Sequence, residues 1–72
     1  MSWRDLKPGD RIRLIEMPGD PNPVPPGTLG TVDRVNDLSK LMRHEDYQIF
    51  VRWDTGSTLS LVPIDKWEKV DG

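Results

Sequence analysis

The stretch "YQIFVRW", residues 47–53, has the clearest strand pattern in the chain because aromatic and β-branched residues dominate it. Period-two alternation predicts one buried face and one exposed face. The predicted buried face holds Tyr47, Ile49, Val51 and Trp53. The predicted exposed face holds Gln48, Phe50 and Arg52. After this strand, "DTGS" at 54–57 predicts a tight hairpin, because Gly56 can adopt the left-handed backbone conformation.

Four further short segments around this one predict strands. They are "TLSLV" at 58–62, "LGTVDRV" at 29–35, "RIRLIE" at 11–16 and "WEKV" at 67–70, with "PIDKW" at 63–67 as a single helical turn. Five short strands without a long helical periodicity predict an all-β domain, a small and partly closed antiparallel barrel. The connections follow the loop order of an SH3-like barrel. The predicted fold is therefore a five-stranded SH3-like barrel with a long proline-rich loop between strands 1 and 2.

The whole chain, residues 1–72, is predicted to form this one domain, with a core over about residues 7–70. The segment "NDLSKLMRHED" at 36–46 is a variable loop with two interpretations. In one, Asp37 caps a short helical turn that carries Leu38, Leu41 and Met42. In the other, the segment is a mobile loop whose apolar residues touch the rim of the barrel. The sequence leaves both open.

Five of the seven prolines fall within "MPGDPNPVPPG", residues 17–27. Each proline fixes one backbone angle and lowers the entropy lost on ordering. A polyproline ligand for another protein would need a free, extended segment, whereas this stretch is held between two predicted strands. We expect a stiff loop with Met17 and Val24 packed inward, which can also form the wall of a groove.

The composition excludes several functional classes. Without cysteine there is no thiolate zinc site, thiol nucleophile or disulfide, which fits a cytoplasmic location. Ten basic and twelve acidic residues are interspersed for a net charge of −2, which argues against a generic polyanion binder. No signal peptide is visible, and the apolar runs are far too short to span a membrane. The single histidine, His44, is flanked by Glu45 and Asp46 at a spacing that does not suit a metal. We expect neither an enzyme nor a cofactor.

Two long stretches resemble a family of short bacterial and phage domains of unknown function. They are "PGDRIRLIEMPGDPNPVPPGTLGTV" and "WDTGSTLSLVPIDKWE". The shared pattern is GDR-x-RL, then DP-x-P-x-PPG-xx-GTV, then WD-x-G-xx-L-x-L-x-P, and it covers about Lys7 to Glu68. The resemblance implies the barrel and a bacterial or phage origin. It implies no reaction, substrate or partner.

The main functional prediction is a small binding module that docks a protein partner. The partner would lie in a shallow groove between the proline-rich loop and the turn at Pro63. The candidate apolar contacts are Phe50, Trp67, Pro25 and Pro26, with Arg13 and Arg52 as the polar rim. The competing interpretations are that Leu41 or Met42 covers Phe50, and that Trp67 belongs to the core. A monomer is favoured over an oligomer.

A nucleic-acid interface on the outer face of the strands is the first alternative. Its candidate residues are Arg11, Arg13, Arg34, Phe50 and Arg52. Cross-strand ion pairs with Glu16, Asp33 and Asp54 would equally explain these arginines. The second alternative is a structural part of a larger assembly, joined through exposed strand edges.

Overall fold

The computed structural model describes residues 3–70, so residues 1–2 and 71–72 of the predicted domain lie outside the described part. A 3₁₀ turn at Trp3–Asp5 is followed by strands β1 (Arg11–Glu16) and β2 (Leu29–Asp37), and then by the one-turn helix α1 (Ser39–Met42). Strands β3 (Tyr47–Trp53) and β4 (Lys66–Val70) follow this helix. All four strands form one antiparallel sheet in the order β3-β2-β1-β4. Within the described residues, the protein is thus mostly β.

The predicted strand at 58–62 is not formed, so the described sheet has four strands rather than five. Only Leu61 pairs with β3, through an isolated bridge in which its N–H and C=O both bond to Ile49. The backbone of Leu59 is bonded elsewhere: its C=O accepts the Trp53 indole N–H at 2.9 Å, and its N–H donates to Ser57 Oγ. A continuous ladder to β3 is therefore interrupted at Leu59.

The predicted burial pattern of β1 and β3 is confirmed, and both strands have the predicted bounds. Six of the twelve residues of the buried core are inward side chains of these two strands, and the others come from β2, the N-terminal segment and the loops. Its largest fully buried members are Ile12, Leu14, Val32, Ile49 and Leu61. Met17 and Val24 of the proline-rich loop are also buried, as expected from the sequence. These two side chains anchor the otherwise mostly exposed loop to the core, so it is not a free polyproline segment.

A β-bulge in β2 decides what lies on the outer face of the sheet. Val32 pairs with Val51, but the next pair is Arg34 with Phe50, so Asp33 is an extra residue. Strict alternation after Val32 would direct Arg34 inward. The bulge instead places Arg34 beside Phe50, with its guanidinium carbon 4.6 Å from the ring centroid.

The variable loop contains an ordered helical turn. Ser39 N–H donates to the Asp37 carboxylate at 2.9 Å, and Leu38 N–H donates to the Asp46 carbonyl at 3.0 Å. The hydrogen bond from Ser39 lowers the pKa of Asp37. Of the two interpretations of this segment, the structure therefore has the helical turn. Leu41 is 80% exposed and does not cover Phe50.

Trp3 packs the N-terminal turn against the sheet. Its ring is buried and stacks on Tyr47, with the centroids 4.8 Å apart. The indole N–H donates to Glu45 Oε1 at 2.6 Å, and Arg4 reaches the same oxygen at 3.0 Å. The indole hydrogen bond, and then Arg4, hold the pKa of Glu45 below its usual range. The ionised carboxylate therefore helps to hold this turn in place.

We expect acid to loosen the Trp3 contact. Because the pKa of Glu45 is lower in the folded protein, its contribution is present at neutral pH and is lost as pH falls through that folded value. Acid titration followed by NMR should shift the Trp3 indole N–H resonance in the wild type, whereas Glu45→Gln should largely remove this shift. Glu16→Gln is the control, since Glu16 pairs with Lys66 elsewhere. An unchanged titration in Glu45→Gln would contradict the assignment.

Candidate functional site

A cavity of about 250 Å³ opens between the proline-rich loop (residues 17–27) and the Pro63 turn (residues 62–65). These are the two segments between which the sequence predicts a groove. The lining residues are Met17, Gly19 and Asp20 from the loop, Val62, Ile64 and Asp65 from the Pro63 turn, and Ser60 just before that turn. The two walls come from distant parts of the sequence, and the cavity therefore depends on the tertiary fold.

The proline-rich loop is bonded to β1 at its C-terminal end and contains a local turn. Gly27 N–H donates to the Leu14 carbonyl at 2.7 Å, and Leu14 N–H donates to the Thr28 carbonyl at 2.9 Å. Within the loop, Asp20 Oδ1 accepts the Asn22 N–H at 2.8 Å, which closes a local turn. The loop therefore forms a preorganised wall of the cavity.

The Pro63 turn is closed by a reciprocal pair of hydrogen bonds. Asp65 N–H donates to the Val62 carbonyl at 2.9 Å, and Val62 N–H donates to Asp65 Oδ2 at 3.0 Å. Asp65 is only 6% exposed, whereas Ile64 is 58% exposed and lies next to Gly19. The turn thus carries an exposed apolar side chain, Ile64, and a buried carboxylate, Asp65, and both line the cavity.

The electrostatics of the cavity are set by its two carboxylates. Burial raises the pKa of Asp65; the Val62 N–H opposes this effect, and the negative charge of Asp20 adds to it. Six ion pairs are formed among residues 3–70, and neither Asp20 nor Asp65 takes part in any of them. The cavity is consequently lined by two carboxylates outside these ion pairs, together with the apolar side chains of Met17, Val62 and Ile64.

The predicted apolar contacts do not line this cavity. Phe50 is half-buried on the outer face beside Arg34. Trp67 is half-buried, packs on the core and lies opposite Leu14 in the β1–β4 pair. Pro25 and Pro26 are exposed on the proline-rich loop but are not among the lining residues. None of the four predicted apolar contacts is therefore a lining residue of this cavity.

The arginines predicted for nucleic-acid binding lie on the exposed surface and have partners there. Arg11 makes two hydrogen bonds to Asp54, at 2.9 and 2.7 Å, which raise the pKa of Arg11 and lower that of Asp54. Arg13 lies opposite Glu68 and bonds to it at 2.6 Å. A longer contact of 4.0 Å joins Arg52 and Asp33, while Arg34 covers Phe50.

This outer face therefore carries mixed charge. Two of the acids expected from the sequence, Asp33 and Asp54, are indeed beside arginines. Glu16 instead pairs with Lys66 at 3.8 Å, and the role of Glu68 was not expected. The register between β1 and β4 decides these partners, and the register cannot be read from local alternation.

Sequence reasoning missed most of the residues that line the cavity, above all Asp65 and Ile64. One signal was available in "VPID", where an aspartate follows a proline turn at the spacing that lets its carboxylate accept the Val62 N–H. Among residues 3–70, there is no group of three His, Cys, Asp or Glu side chains arranged for a metal ion. The same part of the chain has no helix long and apolar enough to cross a bilayer.

One family model matches nearly the whole chain, over residues 4–70, and is described as Domain of unknown function (DUF4314). Comparison with curated proteins and with solved structures gives no match. The family match is consistent with the resemblance noted from the sequence. Because the family carries no assigned activity, the function has to be argued from the cavity and its surroundings.

Proposed function

The chain belongs to the DUF4314 family of domains of unknown function, and we propose that it is a small binding module that docks a protein partner. The docking groove is the cavity between the proline-rich loop and the Pro63 turn. The observation that carries the proposal is the exposed apolar rim, chiefly Ile64, beside a cavity with rigid walls. Exposed apolar surface next to a concave site is typical of places where partners bind.

Preorganisation supports this role. Prolines on both walls and the hydrogen bonds at Leu14 and Val62 hold the loop and the turn before any partner arrives. A rigid site loses less conformational entropy on binding, so even a small contact area can produce useful affinity.

The size of the cavity favours a protein partner over a small-molecule substrate. Its volume of about 250 Å³ lies below the roughly 300–1,000 Å³ of ordinary ligand pockets. It is suited to one side chain of a peptide lying across the groove. We accordingly propose a non-enzymatic role.

The sheet order β3-β2-β1-β4 supports an SH3-like barrel as the finer description of the fold. In that proposal the segment 58–62, tied to β3 by the Ile49–Leu61 bridge, takes the place of the missing strand. A cytoplasmic adaptor of bacterial or phage origin fits this size and composition. The ion pairs on the outer face make a nucleic-acid interface there less favourable than the groove.

Selection of peptides from a random library tests the proposal. We expect selected peptides to shift the amide resonances of Gly19, Ile64 and Asp65 in the labelled protein. Ile64→Ser should weaken their binding by about tenfold, because an apolar contact worth about 1.5 kcal/mol is lost. Ile15→Ser is the matched control, since Ile15 is also exposed but does not line the cavity.

Two results would contradict the docking role. One is a failure to select any peptide that binds the groove. The other is a set of salt-sensitive shifts with oligonucleotides at Arg13, Arg34, Phe50 and Arg52, which would favour the outer face as a nucleic-acid interface.

A further inference from the structure

The most buried carboxylate in the described part of the chain has no cation beside it. Asp65 is the one buried charged residue among residues 3–70. Six other acids there lie within 4.0 Å of an arginine or lysine nitrogen, and all six are more exposed than Asp65: Asp10, Glu16, Asp33, Glu45, Asp54 and Glu68. A buried carboxylate is normally stabilised by a cation or by several hydrogen bonds. Among the residues that the structure describes, the Val62 N–H is the one hydrogen-bond donor to the Asp65 carboxylate.

The second carboxylate of the cavity adds negative charge that no cation balances among the described residues. Asp20 lines the opposite wall, and its negative charge disfavours ionisation of Asp65. One oxygen of Asp20 accepts the Asn22 N–H. Two like charges facing one small cavity would both be stabilised by a cation placed between them.

We propose that the cavity is a subsite for the side chain of an arginine or lysine of the docked peptide, held by Asp20 and Asp65. This inference rests on the proposed docking function and names the chemistry of the partner. Charge complementarity identifies the cationic end of the side chain. Arginine is favoured over lysine because its planar guanidinium can donate to two carboxylates at once.

The apolar lining identifies the rest of the side chain. Met17, Val62 and Ile64 line the same cavity as the two carboxylates. Arginine and lysine carry three or four methylene groups, which pack well on apolar surface while the charged end reaches a polar group. A metal ion fits less well, because calcium and magnesium take six or more oxygen ligands and the cavity offers two carboxylates among apolar groups.

A pair of small probes tests the chemistry directly. We expect n-butylguanidinium to give saturable NMR shifts at Gly19, Asp20, Ile64 and Asp65, with millimolar affinity. The neutral probe n-butylurea, of nearly the same shape, should bind at least tenfold more weakly. Asp65→Asn and Asp20→Asn should each weaken binding of the cation by about tenfold. Asp33→Asn, which removes an acid outside the cavity, should leave it unchanged.

The melting temperature of the Asp65→Asn variant provides a second test. Its side-chain oxygen can still accept the Val62 N–H, while the buried charge is gone. The pKa of Asp65 is raised in the folded protein, so its ionised form disfavours folding as pH rises above the unfolded value. At pH 7 we expect Asp65→Asn to melt at the same temperature as the wild type or higher, with weaker cation binding. A lower melting temperature would show that the charge is already satisfied within the chain and would overturn the inference.

The controls separate this inference from the docking function. If peptides bind the groove but keep their affinity when each arginine is replaced by citrulline and each lysine by norleucine, the cation subsite is wrong and the docking function stands. Equal binding of butylurea and butylguanidinium would likewise show that the cation subsite is wrong, and it would leave the docking function standing. If butylguanidinium binds but no peptide can be selected, the docking function and the assignment to a peptide side chain are both wrong.

Discussion

Leu61→Ala is expected to lower the free energy of unfolding by about 2–5 kcal/mol, the usual range for a fully buried leucine. Leu61 has no exposed surface, and it is the only residue of segment 58–62 that pairs with β3. Burial of its side chain therefore holds this segment against β3, in place of a continuous ladder of backbone hydrogen bonds. Since small domains have a total stability of only about 5–15 kcal/mol, the variant should be unfolded at markedly lower denaturant concentration. Guanidinium titration followed by tryptophan fluorescence measures this.

Leu41→Ala is the matched control for this effect. It removes the same atoms from a side chain that is 80% exposed, so the change in the free energy of unfolding should stay within about 0.5 kcal/mol. Similar losses from both variants would contradict the role assigned to Leu61.

Gly30→Ala is expected to lower the free energy of unfolding by about 1–3 kcal/mol, as overpacking of a core does. The reason is close approach: a Cβ at Gly30 would lie 2.6 Å from Val51 Cγ1 and 2.7 Å from Trp53 Cε3. Strand preference alone predicts that Gly30→Ala raises the free energy of unfolding, because glycine is unfavourable inside strands. Chemical denaturation of the variant therefore discriminates between the two effects.

Two further variants test this explanation. Gly19→Ala should change stability little, since its Cβ would come no closer than 3.9 Å to Ile64. Val51→Ala added to Gly30→Ala should produce less destabilisation than the sum of the two single variants, because it removes part of the clash. Strict additivity would contradict the close-approach argument.

Local patterns predicted much of the fold. The bounds and buried faces of β1 and β3 follow from period-two alternation, which is a property of each strand by itself. The stiffness of the proline-rich loop and the burial of Met17 and Val24 could also be predicted, since prolines and flanking strands are visible in the sequence. The absence of a strand at 58–62 could not be predicted, because it depends on the Trp53 indole N–H, which donates a hydrogen bond to the Leu59 carbonyl.

The candidate site was predicted in position but not in composition. A groove was predicted between the proline-rich loop and the Pro63 turn, and a cavity lies between these two segments. The four apolar contacts predicted for it are not among the residues that line it: Phe50 lies beside Arg34 on the outer face of the sheet, Trp67 packs on the core, and Pro25 and Pro26 are exposed on another part of the same loop. The residues that do line it, above all Asp65, follow from how the Pro63 turn packs against the loop.

The sequence by itself determined the properties that depend on neighbouring residues: which side chains of a strand face inward, where the chain turns and which loop is stiff. Only the tertiary structure decided which residues from distant segments meet. The bulge at Asp33 places Arg34 on Phe50, and the packing of two loops encloses Asp20 and Asp65 in one cavity. The physical reason is that backbone geometry and hydrophobic periodicity act over a few residues, whereas register and the burial of charge are set by the packing of the whole domain.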